Sequence, residues 1–215
     1  MMISLVLFLA ATVTPGAYVA RYTATTANVS GAPDAIRIDI LGWSTDADRD
    51  KLMDAWLQKN PSPARGGRGA AGRGAGRPGR GRGETTAVPK PTAEAMLAKA
   101  LQNSTTVGYL WSREIAGYAI RYAERIPNPD GSERIILITQ RQLGAVNDLW
   151  KPVSGESPEY AFSLIELRIK PNGEGEGKTS LNGKVAPDDA MHVLTLENYD
   201  VLPVVLSHVQ KQKPE

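Results

Sequence analysis

The chain has 215 residues, 41% of them hydrophobic, enough for one domain with a substantial core or at most two small ones. It carries 25 basic and 23 acidic residues for a net charge of +2, and no cysteine, which excludes both a disulfide framework and a lipid-attachment cysteine. The near balance hides an asymmetry: six arginines fall in one glycine-rich tract, and without them 19 basic residues face 23 acidic ones, so the rest of the chain is mildly acidic.

Residues 1–20 carry no charge, and Ile3 to Val13 form an apolar run followed by Thr14, Pro15, Gly16 and Ala17. That pattern reads as a signal peptide, with cleavage after Ala17 or Ala20. The run is far shorter than the ~20 apolar residues of a spanning helix. The expectation is export to the periplasm or the exterior, with no stable membrane span once the leader is removed.

Thr23 to Ser30 and Ala35 to Trp43 read as strands, the second alternating Ile36, Ile38 and Ile40 with Arg37 and Asp39. Thr45 then suits a helix N-cap, followed by Asp46, Asp48 and Asp50, where the helix dipole favours acids. Leu52, Met53 and Trp56 form the inward stripe, and Pro61 and Pro63 end the helix. A second helix is predicted from Pro91 and Thr92 to about Asn103, with Met96, Leu97, Ala100 and Leu101 on one face. Residues 60–90 between them hold Arg65, Arg68, Arg73, Arg77, Arg80 and Arg82 among glycines, a composition that resists packing and predicts a disordered linker inside a single domain of residues 21–215.

From Thr105 onward the chain returns to strands: Thr105 to Trp111, Gly117 to Ile126, Arg134 to Arg141, Tyr160 to Lys170, Lys178 to Val185, Met191 to Asn198 and Val201 to Val209. Asn128 to Gly131 marks one turn, and the run Gly173 to Gly177 reads as another. Short connections favour antiparallel neighbours. The fold class is therefore mainly β (α+β): an antiparallel β sandwich or incomplete barrel of about nine strands, with a two-helix excursion after the second strand, the helices capping one end.

Chemistry-bearing motifs are sparse. The arginine tract has the composition of segments that bind polyanions through phosphate contacts and guanidinium stacking, and the six arginines are candidate polyanion-binding residues. Without interleaved aromatics a solvated linker is the favoured reading, and nucleic acid is not an expected partner. Asp46, Asp48 and Asp50 resemble the start of a calcium loop, but Lys51 and Leu57 stand where glycine and a bidentate glutamate belong, so no metal is expected. His192 and His208 lie on predicted strands, Ser112, Ser154, Ser163 and Ser180 lack a nucleophile elbow, and no cofactor motif occurs. Catalytic residues are therefore not assigned, although a carboxylate pair for hydrolysis meets only in three dimensions. The remaining candidates are aromatic: Trp43, Tyr109, Trp111, Tyr118, Tyr122 and Trp150 lie on or beside strands and would line a cleft for a small molecule, peptide or glycan, or else fill the core.

The segments Trp43 to Asp46, Val107 to Tyr109, Tyr118 to Tyr122 and Ser163 to Arg168 together resemble a family of small exported bacterial proteins of uncharacterised function. The resemblance covers most of the mature chain. It implies a leader, a β-rich domain and a helix pair after the second strand, with the arginine tract as an insertion between the helices. The functional expectation is an exported, non-enzymatic domain that binds an envelope protein or small ligand, with a carboxylate-based hydrolase and a polyanion binder as alternatives.

Overall fold

The computed structural model describes residues 18–57, 91–113, 117–154 and 158–213. Ten strands and two α-helices follow one another as β1 (Ala20–Thr26), β2 (Ala35–Ile40), α1 (Asp46–Trp56), α2 (Ala93–Gln102), β3 (Gly108–Trp111), β4 (Tyr118–Pro127), β5 (Glu133–Thr139), β6 (Leu164–Ile169), β7 (Glu174–Thr179), β8 (Val185–Asp188), β9 (Val193–Leu196) and β10 (Leu206–Gln212). A single-turn 3-10 helix, Tyr199–Val201, precedes β10.

Eight strands close into an antiparallel barrel in the order β1-β10-β7-β6-β5-β4-β3-β2, and β8 and β9 pair separately. The predicted sandwich or incomplete barrel is thus corrected to a closed one. β1 pairs on one side with β2, Tyr22 opposite Ile38, and on the other with β10, Tyr22 opposite Lys211, so the first and last strands consume each other's free edges. Sequence patterning reports which face of a strand is buried but not whether the outermost strands meet.

Alternation sorts side chains between two cores. Tyr22, Ile36, Ile38, Ile40, Leu110, Ile120, Ile135, Leu137, Ile165 and Leu167 fill the barrel interior. Their neighbours on β4, β5 and β6, namely Tyr122, Ile136, Ile138 and Leu164, point outward into a second core with Leu52 and Met53 of α1, Leu97 and Leu101 of α2, and Val193, Leu194 and Leu196 of β9. The unbroken apolar run Ile135 to Ile138 is the signature of a strand buried on both faces. The helices therefore cover the outer wall of β4–β6 instead of capping an end. On β1 and β2 the outward positions are Arg21, Thr23, Arg37 and Asp39, which leaves that wall wet.

Both helices begin where the sequence places them. Thr45 Oγ1 accepts from the Asp48 amide at 3.2 Å while the Asp48 carboxylate accepts from the Thr45 amide at 3.0 Å, a capping box. Thr92 Oγ1 caps α2 by accepting from the Ala95 amide.

Elsewhere the predicted punctuation fails. The run Gly173 to Gly177, read as a turn, forms most of β7; the turn itself is Pro171 to Gly173, with the Gly173 amide donating to Lys170 O at 2.9 Å. Glycine serves a different purpose there: a Cβ on Gly175 would sit 2.2 Å from Arg168 O, and one on Gly177 2.5 Å from Leu167 Cδ2, so β7 passes too close to β6 for side chains on its inner face. The predicted strand Lys178 to Val185 is split, since β7 stops at Thr179 and β8 begins at Val185.

The two ends of the barrel differ. At one end the β5–β6 connection folds back: Leu143 and Trp150 join the interior core, the Trp150 amide donates to Ser30 O at 3.1 Å, and the Gly144 amide donates to the Tyr118 hydroxyl at 2.9 Å. This apolar plug closes that end. The other end, formed by the β4–β5 and β6–β7 turns, is charged.

Candidate ligand-binding cleft

At the charged end, inward positions of four strands carry Tyr22 (β1), Arg125 (β4), Glu133 (β5) and Lys211 (β10). Lys211 Nζ lies 2.8 Å from both carboxylate oxygens of Glu133, and the Arg125 guanidinium pairs with the same carboxylate. Burial would raise the Glu133 pKa, but hydrogen bonds from Lys211 and Arg125 outweigh it and hold the carboxyl below its usual range. The Tyr22 phenol is fully buried and strongly raised, first by desolvation and then by the negative charge of Glu133.

Beside this cluster runs a cleft of about 730 Å³ across β5, β6, β7 and β10, within the size range of small-ligand sites. Its wall includes Asn128 and Ser132 from the β4–β5 turn, Arg134, Arg168, Glu174, Glu176, His208 and Gln210. The β4–β5 turn is rigid: the Gly131 amide donates to Asn128 O at 3.0 Å and the Ser132 amide to the Asp130 carboxylate at 2.9 Å. Along β7, Glu174 and Glu176 alternate with inward glycines and so face away from the interior. β10 enters the cleft through a bulge. Leu206 pairs with Gly177 and Val209 with Gly175, while on the other side Thr25 pairs with Ser207 and Thr23 with Gln210, so one extra residue of β10 lies out of register with both neighbours.

Two of the cleft's cations, Arg134 and Arg168, are already engaged in ion pairs. Arg134 Nε lies 3.0 Å and Arg168 Nε 3.3 Å from Glu166, a carboxylate with no exposure that also accepts from Thr195 Oγ1 at 2.7 Å. Arg134 further pairs with Asp188 at 3.2 Å and Arg168 with Asp200 at 2.7 Å. Desolvation would raise Asp188, but hydrogen bonds from the Met191 amide and Arg134 keep it low. Arg168 also lies 3.7 Å above the Tyr199 ring, beside the buried Lys178, whose Nζ donates to Tyr199 O at 2.9 Å. Of the acids, Glu174 accepts from the Asn172 amide side chain at 3.0 Å.

The six aromatic candidates are not brought together. Tyr118 and Trp150 belong to the barrel core, and Tyr122 belongs to the outer core with its hydroxyl donated to Glu124. Tyr109 and Trp111 meet on the outer face of β3, ring centroids 5.5 Å apart, with Arg37 over Trp111. Trp43 lines a separate, smaller cleft of about 440 Å³ with Ser44, Glu124 and Arg125. None of the six lines the larger cleft. Arg65, Arg68, Arg73, Arg77, Arg80 and Arg82 lie outside the described residues, as does most of the leader.

His192 occupies the β8–β9 turn, not a strand, with Nε2 3.4 Å from Asp50. Among the described residues no cluster of three or more histidines and acids could hold a metal ion. Ser163 and Ser180 serve the fold, their hydroxyls accepting from the amides of Leu143 and Leu164 at 3.0 Å each. Reading Gly173 to Gly177 as a turn hides Glu174 and Glu176, and the other cleft residues lie on separate segments that share no motif. The signal was nevertheless present: Glu174, Gly175, Glu176, Gly177 and Lys178 alternate with period two, as a strand does.

The fold defines a small, closed, up-and-down antiparallel barrel, with a hairpin inserted before its last strand and a filled interior. No family model, curated protein or solved structure matches the chain.

Proposed function

We propose that this chain is a binding domain of the bacterial envelope or exterior that holds a small ligand or a segment of an envelope component without turning it over. The observation that carries the reading is the cleft of about 730 Å³ on rigid strands at the charged end of the barrel. Two features support it. The barrel interior is filled by side chains, so recognition falls to the outside. The chain also opens with a leader-like apolar segment.

Glu133 is set up for ion pairing and not for acid–base work. A general acid needs a carboxyl pKa raised toward neutrality, whereas Glu133 is held low by Lys211 and Arg125. Ser207 and His208 do not form a nucleophile and base: the Ser207 hydroxyl donates its one proton to Thr25 O at 3.0 Å, so at 3.2 Å the His208 ring can only donate to it.

The test is a titration of the purified chain with solubilised envelope fractions, followed through the backbone amide resonances of Lys170, Glu176 and Gln210. Saturable, 1:1 shifts confined to these positions are expected. Chemical conversion of the bound molecule would overturn the reading in favour of a hydrolase.

A further inference from the structure

A non-glycine residue with positive φ costs conformational energy and persists where its side chain gains something in return. Among the described residues these are Asn28, Trp150, His192, Asn198 and His208. Asparagine tolerates this conformation, and the Asn28 side chain is further tied to Val204 O at 2.8 Å. Trp150 is buried in the plug, and His192 faces Asp50. His208 differs. It has φ 51°, its side chain is exposed, and its ring's hydrogen-bonding contact is the hydroxyl of its own neighbour Ser207 at 3.2 Å. Glycine would satisfy the bulge at lower cost. What the imidazole gains instead is a place in the wall of the cleft.

We infer that His208 is a specificity-determining residue of the cleft and that the ligand is a neutral oligosaccharide; this rests on the proposed reading of the cleft as a binding site. The ligand class follows from the lining. Arg134 and Arg168 are neutralised by Glu166, Asp188 and Asp200, so an anion finds little uncompensated positive charge. Counted together with the groups that pair with them, the cleft's charges balance: Arg125, Arg134, Arg168, Lys170, Lys178 and Lys211 against Glu133, Glu166, Glu174, Glu176, Asp188 and Asp200. The apolar residues in the wall, Ile169 and Val209, are 2% and 0% exposed, so an acyl chain or an apolar peptide side chain has nothing to bury against. What remains is a set of carboxamides, carboxylates and one imidazole, from Asn128, Gln210, Glu174, Glu176 and His208. Such groups pair with hydroxyls, which donate to carboxylates and accept from amides and imidazole.

The experiment titrates the purified chain with neutral tetrasaccharides of N-acetylglucosamine, β-linked glucose and α-linked glucose, with a uronic acid tetrasaccharide and an Ala-rich peptide alongside. The His208 imidazole resonances are read by NMR. A neutral sugar is expected to bind saturably, with the imidazole shifting on binding. His208→Gly should weaken that binding at least tenfold while raising Tm by about 2 to 4 °C, because the backbone strain is relieved. His208→Ala should lose binding without the gain in Tm. Unchanged sugar binding in His208→Gly, or a fall in its Tm, would overturn the role of His208. Shifts of the cleft resonances by the uronic acid or the peptide, but by no neutral sugar, would overturn the ligand class and leave the binding cleft standing. Silence of the cleft with every probe and with envelope fractions would remove both.

Discussion

Glu166 offers the sharpest test of how the cleft wall is built. Its carboxylate has no exposure, forms an ion pair with Arg134 at 3.0 Å, and accepts hydrogen bonds from Arg168 Nε at 3.3 Å, Thr195 Oγ1 at 2.7 Å and the Leu196 amide at 3.4 Å. Two charges at the Arg134 separation attract by about 5 kcal/mol at an effective dielectric near 20, an amount largely offset by the cost of taking both out of water. The assembled pair is therefore nearly neutral for stability, while breaking it is expensive. Glu166→Gln keeps the shape but leaves Arg134, only 17% exposed, short of one anion, and should cost about 3 to 4 kcal/mol. That corresponds to a fall in Tm of roughly 6 to 16 °C for a domain of this size. The assay is equilibrium urea unfolding of wild type, Glu166→Gln, Arg134→Met and the double variant. The double should be little worse than either single, giving a coupling of about 2 kcal/mol or more. Additivity of the two losses within about 0.5 kcal/mol would refute the pairing.

Two further outcomes follow from the same coordinates. Glu133 and Asp188 are held below their ordinary pKa, so the stability they contribute is present above the unfolded value near 4.3 for glutamate and 3.9 for aspartate, and is lost as pH falls through the lower folded values; urea midpoints measured from pH 7 to pH 2.5 should drop in that acid window, and less steeply in Glu133→Gln. Gly175→Ala places a Cβ 2.2 Å from Arg168 O and should destabilise by about 1 to 3 kcal/mol, whereas Gly42→Ala, with open space around the new atom, should stay within about 0.5 kcal/mol of wild type in the same unfolding assay.

Local structure was legible wherever neighbours in sequence decide it. Thr45 and Thr92 announced the helix starts, because a capping hydroxyl needs only the amides of its own first turn. Ile36, Ile38 and Ile40 announced β2 through the two-residue period of a half-buried strand. Asn128 to Gly131 announced its turn by residue type, and Arg134 to Arg141 its strand, β5. The tertiary structure decided what depends on residues far apart. Closure of the barrel rests on β1 meeting β10 across almost the whole chain, and no local pattern encodes that pairing. The glycines of β7 mimicked a turn because their reason for being there, the close approach of β6, is a through-space fact. The cleft is a matter of assembly in the same way: Asn128, Arg168, Glu176 and His208 come from separate segments and share no motif. The sequence leaves the aromatics between a cleft and the core, and the large rings went largely to the two cores, where burying them releases the most water. Binding was left to polar side chains, which the sequence scatters and only the barrel gathers.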